Sequence, residues 1–269
     1  MMPNVSAPIV VCIDGSDAAI TAAEWAAKEA ASRDVALRLV HVAPPTDPAN
    51  PGGTANMDRQ YAESALHAAA TAVAASEPPV KIETEILCGA VDSALIDESR
   101  HAAMVCLGSV GIGQIARAVL GSTAAEMTQH AQCPVAIIRS PRPTPRGTEW
   151  ILVAVDPQGD NDAVVECALQ EARLREVPVL AVAGRHKSAS TPHDELDRQV
   201  ARWRQRFPDV HIYPVTTPQS IEAFLAEHRD ESIQLAVVGP VDAATVAEIV
   251  GPHRHPLSAH GNCSVLVVR

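Results

Sequence analysis

Aromatic side chains are scarce in this chain: three Trp, two Tyr and two Phe among 269 residues. So thin a set argues against the stacking platforms that hold single-stranded nucleic acid. Positive charge is also short. Lys and Arg number 21 against 32 Asp and Glu, a net charge of −11, which argues against a polyanion-binding surface. No apolar run approaches the roughly 18 to 20 residues that span a bilayer. The first residues carry neither a basic n-region nor a long apolar h-region, so no signal peptide is expected. Six cysteines (Cys12, Cys88, Cys106, Cys133, Cys167 and Cys263) include no CxxC pair. They are expected as buried thiols of a cytoplasmic protein rather than a disulfide framework. Two phosphate-binding motifs are missing as well. There is no GxxxxGK followed by Ser or Thr, so the chain is not a P-loop NTPase. Asp14-Gly15-Ser16 is not the GxGxxG dinucleotide fingerprint.

What is present is a regular alternation. Ile9-Val10-Val11-Cys12-Ile13 is apolar throughout, as in a strand buried on both faces of a parallel sheet. Asp14-Gly15-Ser16-Asp17 then supplies a turn and an N-cap. Ala18 to Ser32 reads as a helix with Ile20, Ala23, Ala27 and Ala30 on one face. Leu37 to Val42 is a strand, and Pro44 to Gly53 a Pro-rich loop. Met57 to Ser76 is a helix, Ile82 to Leu87 a strand and Val91 to Ser99 a short helix. Ala103 to Leu107 is a strand, Ala118 to His130 a helix and Val135 to Arg139 a last strand. Strands alternating with helices imply right-handed crossovers and a doubly wound parallel sheet.

Ser140-Pro141-Arg142-Pro143-Thr144-Pro145-Arg146-Gly147 then forms a stiff linker. After it the pattern restarts. Ile151 to Asp156 repeats Ile9 to Asp14, Leu180 to Ala183 matches Leu39 to Val42, and Leu235 to Gly239 matches Val105 to Gly108. His260-Gly261-Asn262-Cys263-Ser264-Val265 repeats His130-Ala131-Gln132-Cys133-Pro134-Val135. The offset is 142 at Asp14 and Asp156 and 130 at Cys133 and Cys263, so the second copy is about twelve residues shorter. The expected division is a first domain over 1–140, a linker over 141–148 and a second domain over 149–269.

The sharpest chemical signal is Gly108-Ser109-Val110-Gly111, nine residues, then Gly121-Ser122-Thr123. It begins where the fourth strand stops, and open parallel sheets bind ligands beyond the carboxyl ends of their strands. Glycines there let the backbone approach a phosphate and present N–H donors. Gly121-Ser122-Thr123 opens a helix, whose unpaired N–H groups and positive dipole end suit phosphate oxygens. Taken alone, a Gly-x2-Gly pair more often marks nothing beyond a turn.

The combination resembles the universal stress protein family. The likeness rests on a strand ending in Asp14-Gly15-Ser16, a helix containing Trp25-Ala26-Ala27-Lys28-Glu29-Ala30, and a strand ending in His41-Val42. It also rests on the glycine motif ahead of His130-Ala131-Gln132-Cys133-Pro134-Val135, and it runs through both repeats. The resemblance implies two tandem flavodoxin-like or Rossmann-like α/β domains with doubly wound parallel sheets, in the arrangement common in actinobacteria. It implies ATP as the ligand and allows Mg2+ beside the phosphates. By the same likeness Asp14 would contact the adenosine part, and Val42 would offer main-chain hydrogen bonds to the adenine edge. Gly108, Ser109, Gly111, Gly121, Ser122 and Thr123 would hold ribose and phosphates. Val110 stands where many members carry Arg, which removes a cation from the phosphate site unless Arg117 turns inward. In the family the last strand lies at a sheet edge. Val135 to Ile138 and Val265 to Val268 are therefore expected to mediate pairing, with a homodimer as the assembly.

The second copy departs from the motif. Asp156 persists, but Pro157-Gln158 replaces Gly15-Ser16. Gly239-Pro240-Val241-Asp242 lacks the second glycine and carries a carboxylate in the phosphate loop. Eight residues instead of nine separate Asp242 from Gly251, and Pro252 replaces Ser122 with the loss of an N–H donor. One ATP per chain is the resulting expectation. His253, His255, His260 and Cys263 could suggest a metal, but the repeat explains His260 and Cys263 as the counterparts of His130 and Cys133. No metal site is expected. Ser16 lacks a nucleophile-elbow context, and no Walker lysine is present, so no catalytic residue is assigned. The expected function is a cytoplasmic nucleotide-binding stress-response regulator with an unidentified protein partner, binding neither nucleic acid nor membrane. The alternatives are a slow ATP-hydrolysing enzyme and an interaction module without ligand.

Overall fold

The computed structural model describes residues 7–45, 55–76, 79–109, 121–140, 149–156, 161–184, 193–228, 232–240, 246 and 263–269. The chain divides into two compact units, Met1–Ser140 and Pro141–Arg269. The expected linker over 141–148, Gly111 and most of the Pro-rich loop lie outside the described residues, as do Asp242, Gly251 and Pro252.

In the first unit β1 (Ile9–Cys12) leads through α1 (Asp17–Ser32) to β2 (Leu37–Ala43). Then follow α2 (Ala55–Ala75), β3 (Ile82–Cys88), α3 (Val91–Ser99), β4 (Met104–Gly108), α4 (Ser122–His130) and β5 (Val135–Ile138). The strands are parallel in the order β3-β2-β1-β4-β5. Of the two common doubly wound orders this is the Rossmann one. Ile9, Val10 and Val11 are fully buried because helices cover both faces of a central strand. α1 sits close to the sheet because Ala22, Ala23, Ala26, Ala27 and Ala30 present only methyl groups. α2 buries Ala62, Leu66, Ala69 and Val73, a stripe at helical spacing.

The second unit repeats the plan. Its elements are β6 (Glu149–Ala154), α5 (Asp162–Arg175), β7 (Val179–Ala183), α6 (His193–Arg206) and β8 (Ile212–Thr216). α7 (Ile221–Glu227), β9 (Ser232–Val238) and β10 (Ser264–Val267) complete it. The strand order is β8-β7-β6-β9-β10, again parallel.

Two duplicated details lie outside the motifs. α1 ends with Asp34 in the left-handed region at φ 52°, and the Val35 N–H donates to the Ala30 carbonyl at 3.0 Å. α5 ends with Glu176 at φ 55°, and the Val177 N–H donates to the Ala172 carbonyl at 3.1 Å. Both are the 6→1 closure of a helix C-terminus. Glu29 pairs with Arg33 at the C-cap of α1, and Glu171 pairs with Arg175 in the last turn of α5. Each pair is an i, i+4 step, and both carboxylates are buried to 1% exposure.

The cysteine expectation needs correction. Cys106, Cys133 and Cys263 are buried, but Cys12 and Cys167 are half-buried and Cys88 is exposed. β3 ends the strand order of its unit and keeps half-open faces, so its last residue stays uncovered.

Candidate nucleotide site

A doubly wound sheet has one place where neighbouring strands send their connections in opposite directions. Here it lies between β1, which leads through α1 to β2, and β4, which leads through α4 to β5. The crevice beyond the carboxyl ends of those strands is the expected ligand position. Asp14, Gly108 and Ser109 stand there, with Val42 on the adjacent strand β2. Gly121, Ser122 and Thr123 open α4, the connection that leaves β4.

The turn after β1 is tightly organised. The Asp14 Oδ1 accepts the Ser16 N–H at 2.9 Å and the Ser16 hydroxyl at 2.6 Å. Ser16 then caps α1, its Oγ accepting the Ala19 N–H at 3.1 Å. Gly15 adopts φ +88°, which a side chain would resist. Two side chains tie the turn from outside. His41 Nδ1 donates to the Ile13 carbonyl at 2.7 Å, and the Tyr61 hydroxyl donates to the Asp14 carbonyl at 2.8 Å. Beneath the turn, burial and then the Asp14 carboxylate push the Cys12 thiol up to about 12, so it stays protonated at neutral pH.

β2 overhangs β1. The β1–β2 ladder ends at Cys12 and Val40, with the Ile13 N–H reaching the Val40 carbonyl at 2.8 Å. The β2–β3 ladder continues to Ala43 and Cys88 and closes with the Gly89 N–H on the Ala43 carbonyl at 3.0 Å. Backbone groups alternate along a strand. Since Val40 faces β1 and Ala43 faces β3, Val42 turns its N–H and C=O toward the side where β1 has already ended. One donor and one acceptor therefore edge the crevice beside Asp14.

β4 ends under the first turn of α1. A Cβ at Gly108 would stand 2.8 Å from the Ala18 carbonyl carbon and 2.9 Å from its oxygen. Only glycine permits this approach. Ser109 is buried, and its N–H donates to the Ile138 carbonyl at 2.9 Å. At α4, Gly121 is the N-cap with φ −57° and ψ 147°, and among the described residues no side-chain hydrogen bond caps the helix. The N–H groups of its first turn lack intrahelical acceptors. Ser122 is exposed and Thr123 half-buried. The Gly121 dihedrals suit any residue, and among the described residues a Cβ there would meet nothing within 4 Å.

The second unit reproduces the frame but differs in detail. The Val155 N–H donates to the Val182 carbonyl at 2.9 Å, as Ile13 does to Val40. β7 stops at Ala183, however, and Thr217 closes that ladder at once. Its overhang past the β6 pairing is one residue, against three in β2. At Gly239 an added Cβ would lie 3.6 Å from a Val164 methyl, an ordinary contact. A cavity of about 310 Å³ lined by Arg204, Val210, His211 and Tyr213 opens at the amino end of β8, the wrong end of the strands for this site. Among the described residues no group of three or more His, Cys, Asp or Glu is placed to hold a metal ion. No helix among them is long and apolar enough to cross a membrane.

His41 and Tyr61 were not marked by sequence reasoning as parts of the site. His41 carried a signal of sorts, next to Val42 at a strand end. Tyr61 lies 47 residues from Asp14 on a helix surface, and nothing local announces the contact.

The strand order defines a doubly wound α/β protein with a crevice at its switch point. The model of the universal stress protein family matches residues 7–139. Universal stress protein Rv2624c of Mycobacterium tuberculosis is 48% identical over 263 residues, covering 97% of this chain and 96% of its own. Universal stress protein Rv3134c of the same organism is 39% identical, covering 99% and 97%. A crystal structure of a universal stress protein from Archaeoglobus fulgidus superposes with a TM-score of 0.72 at 16% identity, covering 98% of this chain and 96% of its own. The chain belongs to the universal stress protein family.

Proposed function

We propose that the first unit binds an adenine nucleotide, with ATP as the ligand, and that the chain acts as a cytoplasmic nucleotide-responsive stress protein. The observation that carries this reading is the open edge of Val42 beside Asp14. Its N–H and C=O match the acceptor and donor of an adenine edge, and the half-buried Asp14 carboxylate adds an acceptor for ribose hydroxyls. Gly108 and Ser109 bring main chain close on the other wall, and the start of α4 at Gly121, which has no side chain to cap it, suits phosphate oxygens. Mg2+ would accompany the phosphates. Binding without efficient turnover is the reading, because Asp14 already accepts two hydrogen bonds from Ser16 and is poorly placed as a general base. Pairing with a second copy of the chain belongs to the same proposal.

Gly121 offers a clean test. No described residue comes within 4 Å of its Cβ position and its backbone is unstrained, so Gly121→Val should fold as the native protein does. The branched side chain would project where phosphate must approach. ATP affinity should fall at least tenfold, about 1.4 kcal/mol. Unchanged affinity in a titration of the folded variant would remove this helix start from the site. Mass spectrometry of nucleotide released on denaturing purified protein would identify the ligand, and adenine nucleotide is the expected finding.

The two units are proposed to differ in affinity. By its place in the sequence, Asp242 puts a carboxylate in the second phosphate loop, and Pro252 removes an N–H donor. A carboxylate about 4 Å from a phosphate costs roughly 1 kcal/mol in water and more when partly buried. A lost hydrogen bond to a charged group adds roughly 1.5 to 3 kcal/mol. The shorter β7 overhang weakens the adenine edge as well. Together these predict a second unit weaker by on the order of a hundredfold.

A further inference from the structure

We propose that Tyr61 and His41 are positioning residues, which clamp the β1–α1 turn from α2 and β2 and thereby aim the Asp14 carboxylate into the crevice. The inference rests on the nucleotide reading above and adds two side chains to it. Ile13 and Asp14 are consecutive, and each carbonyl receives one side-chain donor from a different element, His41 at 2.7 Å and Tyr61 at 2.8 Å. The two rings meet edge to face with centroids 5.8 Å apart, so each fixes the other. Gly15 accommodates the arrangement twice over. Its φ of +88° makes the turn, and a Cβ there would stand 2.3 Å from the Tyr61 oxygen. Both donors bind main-chain carbonyls of the turn, while the Asp14 Oδ1 accepts from Ser16. Their action on a ligand therefore runs through Asp14.

A helix-surface tyrosine 48% exposed would ordinarily need no partner. Here its hydroxyl satisfies a carbonyl that has just left the sheet ladder. Without that bond the peptide between Asp14 and Gly15 can rotate, which displaces the Ser16 N–H and hydroxyl that hold the carboxylate.

Tyr61→Phe removes one oxygen and keeps the ring. In the ligand-free protein, the Ser16 amide that donates to Asp14 should exchange with solvent roughly tenfold faster, because its acceptor is no longer held. ATP affinity should fall about threefold to tenfold, the range of one lost hydrogen bond. In an Asp14→Asn background the same change should alter affinity by less than about twofold, since the positioned group is already impaired. His41→Asn places an amide nitrogen near the native Nδ1 and should retain binding, whereas His41→Ala should not. Native Ser16 exchange in Tyr61→Phe overturns the clamp, whatever the ligand. An equal loss of affinity in both backgrounds overturns the route through Asp14. Normal exchange effects with no nucleotide bound by the wild-type chain would instead overturn the nucleotide reading.

Discussion

Gly108→Ala should cost at least about 2 kcal/mol of stability, at the upper part of the range for forcing a methyl into a packed interior. The added carbon would meet backbone atoms of Ala18 at 2.8 and 2.9 Å, and backbone in the first turn of α1 cannot rotate aside as a side chain could. Relief requires α1 to lift from β4. That movement carries Ser16 and Asp14 with it, so nucleotide affinity should fall in parallel. Gly239→Ala is the matched control in the second unit. Its nearest neighbour would be a Val164 methyl at 3.6 Å, so its effect should stay within about 0.5 kcal/mol. Urea unfolding of both variants checks the pair. A Gly108→Ala protein as stable as the native one would contradict the close approach of α1 to β4.

Arg175→Ala should be costlier still. Glu171 is 1% exposed, and the Arg175 side chain beside it is 12% exposed. The guanidinium also donates to the Glu171 carbonyl at 3.3 Å. Removing one partner of a buried ion pair leaves a charge in a medium that solvates it poorly, at roughly 3 to 5 kcal/mol. Arg33 holds the equivalent place at the C-cap of α1 but is 30% exposed, so water can partly replace it. Arg33→Ala should therefore cost clearly less. The two unfolding free energies, measured side by side, check the order. Equal small effects would show that neither pair matters to stability.

The frame was legible in the sequence for a simple reason. Strands buried on both faces must be apolar throughout, and β1, β4, β5 and the Ile151–Ala154 part of β6 read that way. The duplication was legible because Asp14 and Asp156 both end such runs. β8 was not, since Ile212-Tyr213-Pro214-Val215-Thr216 contains a proline and exposes Tyr213, marks of an edge strand. α6, rich in arginine, offered only a thin apolar stripe around Leu196 and Val200.

At the site, residue types were readable but spatial relations were not. The strand-end position of Val42 could be read, yet its open edge depends on β1 ending two residues earlier in register, a property of pairing. Gly108 and Gly239 look alike in sequence. Only the packing of α1 and α5 separates a glycine that is required from one that is not. Tyr61 acts across 47 residues of chain, and an exposed tyrosine on an Ala-rich helix carries no mark of that role.

Calorimetric titration of the full chain with ATP and Mg2+ tests the central claim most directly, because it counts sites and measures affinity in one experiment. The account predicts one site per chain, lost or weakened at least tenfold in Gly121→Val. Two equivalent sites would contradict the proposed difference between the units, and no saturable heat at all would contradict nucleotide binding itself.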